Sequence, residues 1–377
     1  MTTESARSSA PELTLLLCGD VMSGRGIDQI LPHPGAARLF EEHAHSALEY
    51  VELAQQRSGS IRRPVDFRYI WGEALAELER RKPDARIVNL ETAVTTSDAA
   101  DPGKGVHYRM HPANVGCLLS ARIDCCVLAN NHVLDWGERG LRETLAALAA
   151  AGIKTAGAGA DDQAALAPAR IDSSAGRVLV YALACADSGV PANWAAGAQH
   201  AGVALLPDLS EQTLAHIAQR ISLEKRPGDV TVVSIHWGGN WGYEVPTTHR
   251  HFAQRLIEAA TVDVVHGHSS HHAKGVEIHR ERLILYGCGD LINDYEGISL
   301  QDPWRSDLAL LYFARLERAT GRLRQLTMAP FRRRRMRLER ASDVDARFLL
   351  TMLNREGRVL GSRSERASDG PIVCGAL

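Results

Sequence analysis

Five short apolar runs in this chain each stop at side chains able to hold a metal ion. Residues 13–18 lead to Asp20 and residues 87–88 to Glu91. Residues 125–129 lead to Asn131 and His132, residues 230–235 to His236, and residues 262–265 to His268 and His271. Between such runs the apolar spacing turns helical, at 71–81, 138–151, 210–223 and 248–260, with a further stretch at 344–354. The alternation from residue 13 to 265 predicts repeated β-α units with buried strands. In open α/β sheets ligands bind at the C-terminal ends of the strands, which is where these polar groups fall. After residue 280, strand-like runs follow one another at 283–286, 308–314 and 323–328, which predicts an antiparallel part or a second sheet.

With 377 residues the chain can bury a large core, in one elaborate α/β domain or two. A formal net charge of −2 argues against a nucleic-acid or anionic-membrane surface. With 5% aromatic residues, an aromatic polymer-binding platform is not indicated. The seven cysteines form no C-x-x-C pair and mostly sit in apolar runs, as small hydrophobes do in a reducing compartment. Residues 1–12 are polar and read as a disordered tail. No run approaches the roughly 18 apolar residues of a membrane span, so the expectation is a cytoplasmic protein with no integral membrane segment.

The donors differ in kind. Asp20 and Glu91 bring anionic oxygens, Asn131 a neutral amide oxygen, and His236, His268 and His271 imidazole nitrogens. No thiolate stands among them, which argues against a structural zinc knot. The O and N mixture suits a divalent ion such as Mn, Fe or Zn. Six donors exceed the need of one tetrahedral ion, so one ion or a pair roughly 3.5–4 Å apart is expected. Each residue alone has an ordinary alternative: a turn aspartate, a capping glutamate, a turn asparagine, a satisfied core histidine. Their recurrence at successive strand ends favours a shared site. An imidazole ordinarily titrates near neutrality, and His132 is expected to donate a proton to a leaving group or stabilise developing charge. His266 and His272 flank the final pair as supporting groups, whereas His43, His45, His249, His251 and His279 read as surface residues.

Asp135 reads equally as a helix N-cap, with Glu138 completing a capping box, or as a catalytic carboxylate. Residues 29–65 and 186–206 are long enough to serve as lids or substrate loops. The basic tetrad 332–335 reads as a solvated face or helix terminus, and residues 361–377 as a loose tail.

Several motifs resemble those of the CapA family of poly-γ-glutamate capsule synthesis proteins. They are Gly19-Asp20-Val21-Met22 with Arg25, Asn89-Leu90-Glu91, Asn130-Asn131-His132 with Asp135-Trp136-Gly137, His236-Trp237-Gly238, and Gly267-His268-Ser269-Ser270-His271. The resemblance implies the calcineurin-like metallophosphoesterase fold, a four-layer α-β-β-α sandwich of two mixed sheets flanked by helices. It places the domain at residues 13–330, with a C-terminal extension over 331–377. It also implies Asp20, Glu91, Asn131, His236, His268 and His271 as metal ligands and His132 as the catalytic imidazole. Arg25, in the first motif, and Arg109, in a Phe-Arg-x-x-Pro-like segment, would clamp a carboxylate or phosphate, with a structural salt bridge as the alternative for each. Three departures stand out: Met22 where metallophosphoesterases at large carry histidine, a Gly-His-x-x-His spacing, and Asp290 where the family has asparagine.

Two functions follow. One is a metal-dependent hydrolase acting on a phosphoester, ester or γ-glutamyl amide in a carboxylate- or phosphate-bearing substrate such as a γ-glutamyl polymer. The other is a non-catalytic subunit of a poly-γ-glutamate synthase assembly. The sequence leaves the oligomeric state open.

Overall fold

The computed structural model describes residues 11–298 and 302–377. Of the expected N-terminal tail, residues 1–10 lie outside the described residues. Glu12 already belongs to the first strand, and its carboxylate pairs with Arg315 at 2.8 Å.

The main strands are β1 (Glu12–Val21), β2 (Ala85–Leu90), β3 (Cys125–Val127), β4 (Lys154–Ala156), β5 (Ala169–Ser173), β6 (Gly176–Ala184), β7 (Val230–His236) and β8 (Val264–His268). They continue as β9 (Val276–His279), β10 (Arg282–Leu285), β11 (Asp290–Ile292), β12 (Leu308–Glu317), β13 (Leu323–Arg334), β14 (Arg337–Arg340), β15 (Ser362–Arg366) and β16 (Ile372–Ala376). The longer helices are α1 (Ala47–Ser58), α2 (Ala74–Arg81), α3 (Gly137–Ala150), α4 (Glu211–Glu224), α5 (Thr247–Ala259) and α6 (Asp343–Leu360).

The larger sheet runs β15-β16-β13-β12-β1-β2-β3-β4, with β11 added beside β1 and β14 beside β13. Its β1-to-β4 half is parallel and its other half antiparallel. The smaller sheet runs β9-β10-β8-β7-β6-β5, with a parallel centre and an antiparallel strand at each edge. The chain is thus a mixed α/β protein, with the strand-rich C-terminal part expected from the pattern after residue 280.

Strand periodicity explains how the two sheets meet. Along β6, Val178, Val180 and Ala182 enter the core that also holds Leu15, Leu17 and Ile87 of the larger sheet. The alternate residues Leu179, Tyr181 and Leu183 pack with Leu214 and Ile217 of α4 and Phe252 and Leu256 of α5. One face of the smaller sheet therefore shares a core with the larger sheet, and helices cover the other. In β1, Leu15, Leu16 and Leu17 are all fully buried, the unbroken apolar run of a strand covered on both faces. Each such leucine contributes roughly 1.5–3 kcal/mol of burial free energy.

Four local expectations are corrected. Residues 361–377 are not a loose tail, because β15 and β16 pair with each other and β16 extends the larger sheet alongside β13. Within residues 29–65, Ala47, Tyr50, Val51 and Ala54 form the buried stripe of α1, whose start carries a Ser46/Glu49 capping box. The basic tetrad is not a helix end but part of a strand, and only its alternate residues Arg332 and Arg334 are exposed. Arg332 to Arg334 lie in β13, Arg333 is buried, and Arg332 and Arg335 pair with Asp307 and Glu339. His249 is buried too, stacked flat on Trp237 at 4.8 Å with its Nε2 2.8 Å from Asp187.

Candidate metal centre

The centre forms where the parallel strands of both sheets end. On β1 the pairing with β2 slips between Cys18 and Asp20, so Gly19 is an extra residue that bends the strand end. A Cβ on Gly19 would lie 1.7 Å from the carbonyl oxygen of Gly289, so only glycine allows this approach. The close contact brings β11 beside β1 with Asp20 opposite Asp290. On the smaller sheet, the parallel register sets Ser234 opposite His266 and His236 opposite His268. Residues two apart share a face, so all four project to the same side.

Asp20, His236 and His268, all buried, offer ligand atoms that lie within 4.8 Å of one another. His236 Nδ1 and His268 Nδ1 are 2.8 Å apart, a contact that needs a proton or a cation between the two nitrogens. His236 Nε2 lies 3.2 Å from Asn131 Oδ1. Glu91 joins through Asn89, whose side-chain amide donates to Asp20 Oδ1 at 2.7 Å and to Glu91 Oε2 at 3.0 Å. Burial, and then the charge of Asp290, push the Asp20 carboxyl up to about 7. Burial and the proximity of Asp20 hold Glu91 well above the usual carboxylate range. His236 and His268 are pushed well below the ordinary imidazole value, chiefly by burial. Buried carboxylates that resist ionisation beside neutral imidazoles are a donor set lacking compensating positive charge. A divalent cation fits that need.

His271 stands slightly apart. Its Nδ1 is 2.9 Å from Asp290 Oδ1, and this carboxylate outweighs the effect of burial to raise the imidazole above its ordinary value. Asp290 is in turn held low, burial notwithstanding, by His271. A neutral His271 would direct Nδ1–H to Asp290 and leave Nε2 bare.

His132 forms a dyad with Asp135, Nδ1 to Oδ2 at 2.7 Å. The same oxygen accepts the Tyr108 backbone N–H at 2.7 Å, and Lys104 Nζ lies 3.1 Å from Asp135 Oδ1. The expected capping box is therefore not formed: Asp135 turns inward, and α3 begins after Trp136 without a side-chain cap. Burial pushes the His132 imidazole down to about 4 although Asp135 opposes it. His132 Nε2 faces Glu91 Oε1 at 3.9 Å.

Neither arginine presents an open clamp. Arg25 donates Nε and Nη2 to Asp294 and Nη1 to Glu41, and its guanidinium lies between the rings of Tyr50 and Tyr108, 3.9 and 4.4 Å from their centres. Arg109 donates to the Ser97 and Ala36 carbonyls and to Asp98, with its guanidinium over the Trp136 ring, 4.0 Å from the centre. Both make the internal ion pairs that were the alternative to substrate binding. Arg25 still bears on the centre, because Tyr108 packs edge-on against His132 and its hydroxyl donates to Tyr295, which packs against His271.

Asn89, Lys104, Ser234 and Asp290 were given no role at the centre by the sequence reading. Asn89 is two residues before Glu91, and Ser234 two before His236, so period-two spacing offered a signal for both. Lys104 comes from a loop, and nothing in its surroundings marked it.

Residues 14–295 match the family described as bacterial capsule synthesis protein PGA_cap. The chain belongs to that family. The matched span contains every residue of the centre. Among the relatives of this chain, a probable polyglutamine synthesis accessory protein of Mycobacterium tuberculosis is 48% identical over 353 residues, covering 93% of each chain. The capsule biosynthesis protein CapA of Bacillus anthracis is 24% identical over 75% of this chain and 60% of its own length. The PGA biosynthesis protein CapA of Bacillus subtilis is 22% identical over 82% of this chain and 70% of its own. Among the described residues no helix is long and apolar enough to cross a membrane.

Proposed function

We propose that this member of the capsule-synthesis family is a metal-dependent hydrolase acting on a substrate rich in carboxylate or phosphate, a γ-glutamyl polymer in the first instance. The carrying observation is the His132–Asp135 dyad beside the candidate ligands. A site that only bound metal or polymer would have no need of an oriented imidazole. Two sheets sharing a core, with the donors at their strand ends, support the four-layer metallophosphoesterase-like sandwich. Asp20, His236 and His268 would hold the ion, with Glu91, Asn131 and His271 close by. When bound, the ion would supply Lewis acidity toward the scissile carbonyl or phosphoryl group.

The rest is done by the chain itself. Asp135 takes the Nδ1–H of His132, which leaves Nε2 bare. Because burial keeps His132 neutral, that nitrogen is set to accept the proton of an attacking water. The imidazolium so formed is stabilised by Asp135 and returns the proton to the leaving group. A cleft of about 630 Å³, lined by His271, Trp241, Asn293, Trp304 and Arg333 among others, gives an extended substrate room to lie.

The test is to strip the protein with chelator, restore it with Mn²⁺, and screen phosphoester, ester and γ-glutamyl amide substrates. His132→Ala is expected to keep its metal and lose about 10²–10⁴-fold in turnover. Undiminished turnover in that variant would end the assignment. A second reading, a non-catalytic accessory subunit, is favoured by the printed name of the M. tuberculosis relative. It predicts metal and polymer binding without turnover on any of these substrates.

A further inference from the structure

Behind the candidate ligands lies a buried hydrogen-bond chain that links both sheets. His266 Nε2 is 2.8 Å from the backbone carbonyl of Cys18 on β1. His266 Nδ1 is 3.0 Å from Ser234 Oγ, and the same hydroxyl is 2.9 Å from His268 Nε2. His266 and Ser234 are fully buried and His268 nearly so, so each polar atom must find its partner within the chain.

The proton positions follow from one fixed end. A carbonyl oxygen only accepts, so a neutral His266 carries its proton on Nε2 and donates it to Cys18. His266 Nδ1 is then bare and accepts the single hydroxyl proton of Ser234. With that proton committed, Ser234 Oγ accepts from His268, and His268 is protonated on Nε2. Its Nδ1 is left bare on the side facing His236 Nδ1, 2.8 Å away, where the candidate ion would sit.

We infer that Ser234 and His266 are positioning residues that lock His268 in the Nε2–H tautomer and so present its Nδ1 as the ligating atom. The use of that atom by a cation rests on the metal reading above; the lock itself does not. The parallel register that sets Ser234 opposite His266 and His236 opposite His268 builds the device, and the Cys18 carbonyl, two residues before Asp20, anchors it. A partner that fixes the free ring nitrogen of a metal-binding histidine typically matters 10–100-fold in affinity. Ser234 stands in that relation to His268.

The experiment is long-range proton–nitrogen NMR of the histidine rings in the full-length, chelator-treated protein, followed by Zn²⁺ titration. In the native chain His268 is expected to be protonated at Nε2 and bare at Nδ1. Ser234→Ala removes the acceptor while deleting one oxygen, and it is expected to mix the two tautomers and weaken Zn²⁺ binding 10–100-fold. Ser234→Thr, which keeps the hydroxyl, is expected to restore both. His266→Gln, whose amide can still donate to Cys18 and accept from Ser234, is expected to retain the His268 tautomer. An Nδ1–H form of His268 in the native chain, or an unchanged tautomer in Ser234→Ala, would overturn the lock. A native chain that shows the Nε2–H form but takes up no Zn²⁺ would overturn the metal reading and leave the lock standing.

Discussion

Asp20→Asn should stabilise the metal-free protein at pH 8 and forfeit most of the stabilisation that a bound metal gives the native chain. Asp20 is fully buried, close to Asp290 and joined to Glu91 through Asn89. Its carboxyl is pushed from 3.8 to about 7, which corresponds to a folding penalty on the order of 4 kcal/mol once the group must ionise. A raised folded-state value leaves stability intact below pH 4 and erodes it as pH climbs toward 7. The penalty is therefore complete at pH 8. Asparagine carries no such penalty. It keeps an acceptor for Asn89 and sacrifices the bond from the Ser269 N–H, worth about 1 kcal/mol. In chelator, the variant should be less stable than the native chain by about 1 kcal/mol at pH 4 and more stable by about 3 kcal/mol at pH 8, a swing of about 4 kcal/mol. The buried histidines titrate in both chains and largely cancel in the difference. With Mn²⁺ at 100 times its Kd, the native chain gains about 2.7 kcal/mol that the variant, lacking an anionic ligand, should largely forgo. Urea denaturation of both chains at pH 4.5, 6 and 8, with chelator and with Mn²⁺, measures all of this. A difference that stays flat with pH in chelator, or equal stabilisation of both chains by Mn²⁺, would refute the reasoning.

Asp135→Asn removes the negative charge that orients His132 and stabilises its imidazolium, so turnover should fall more than 10²-fold while metal content, read by elemental analysis, stays the same. Arg25→Ala leaves the buried carboxylates of Asp294 and Glu41 without their partner and should cost about 3–5 kcal/mol in urea denaturation; a cost below 1 kcal/mol would show that the cluster is not structural. Ile372→Ala, at a fully buried position of β16, should cost about 2–5 kcal/mol, whereas a loose tail would give a change near zero.

Most of the fold was legible because buried strands and amphipathic helices leave strong periodic signals. The runs at 13–18, 177–184, 230–235 and 308–314 all fall within strands, and the helices predicted at 210–223 and 248–260 differ from α4 and α5 by a single residue at each end. The failures have specific causes. In α1 the stripe Ala47, Tyr50, Val51, Ala54 includes two small residues and a tyrosine among charged neighbours, so its apolar contrast is weak. In β15, Ser362 and Ser364 face inward and arginines outward, a pattern that only the pairing with β16 makes favourable. The tetrad at 332–335 misled because charge was read without partners; Asp307, Glu339 and the Asp290 carbonyl that receive these arginines come from other strands and turns.

The candidate centre divides along the same physical line. Ligand types at strand ends are local facts, and the sequence displays them. Partnership depends on which strands lie side by side, and that is decided over long separations. Asp290 meets Asp20 only because β11 returns to β1 after 270 residues, through an approach that Gly19 permits. No local pattern encodes that return, so Asp290 read as a departure from a motif rather than as the partner of His271. Pairs two residues apart on one strand are different, since period-two geometry alone places them on one face. Asn89 with Glu91, Ser234 with His236, and His266 with His268 are three such pairs. In each, the residue nearer the strand start bonds either the ligand two places on or its neighbour across the sheet. At strand-end metal sites, the polar residue two positions before each candidate ligand is therefore the first place to look for the group that orients it.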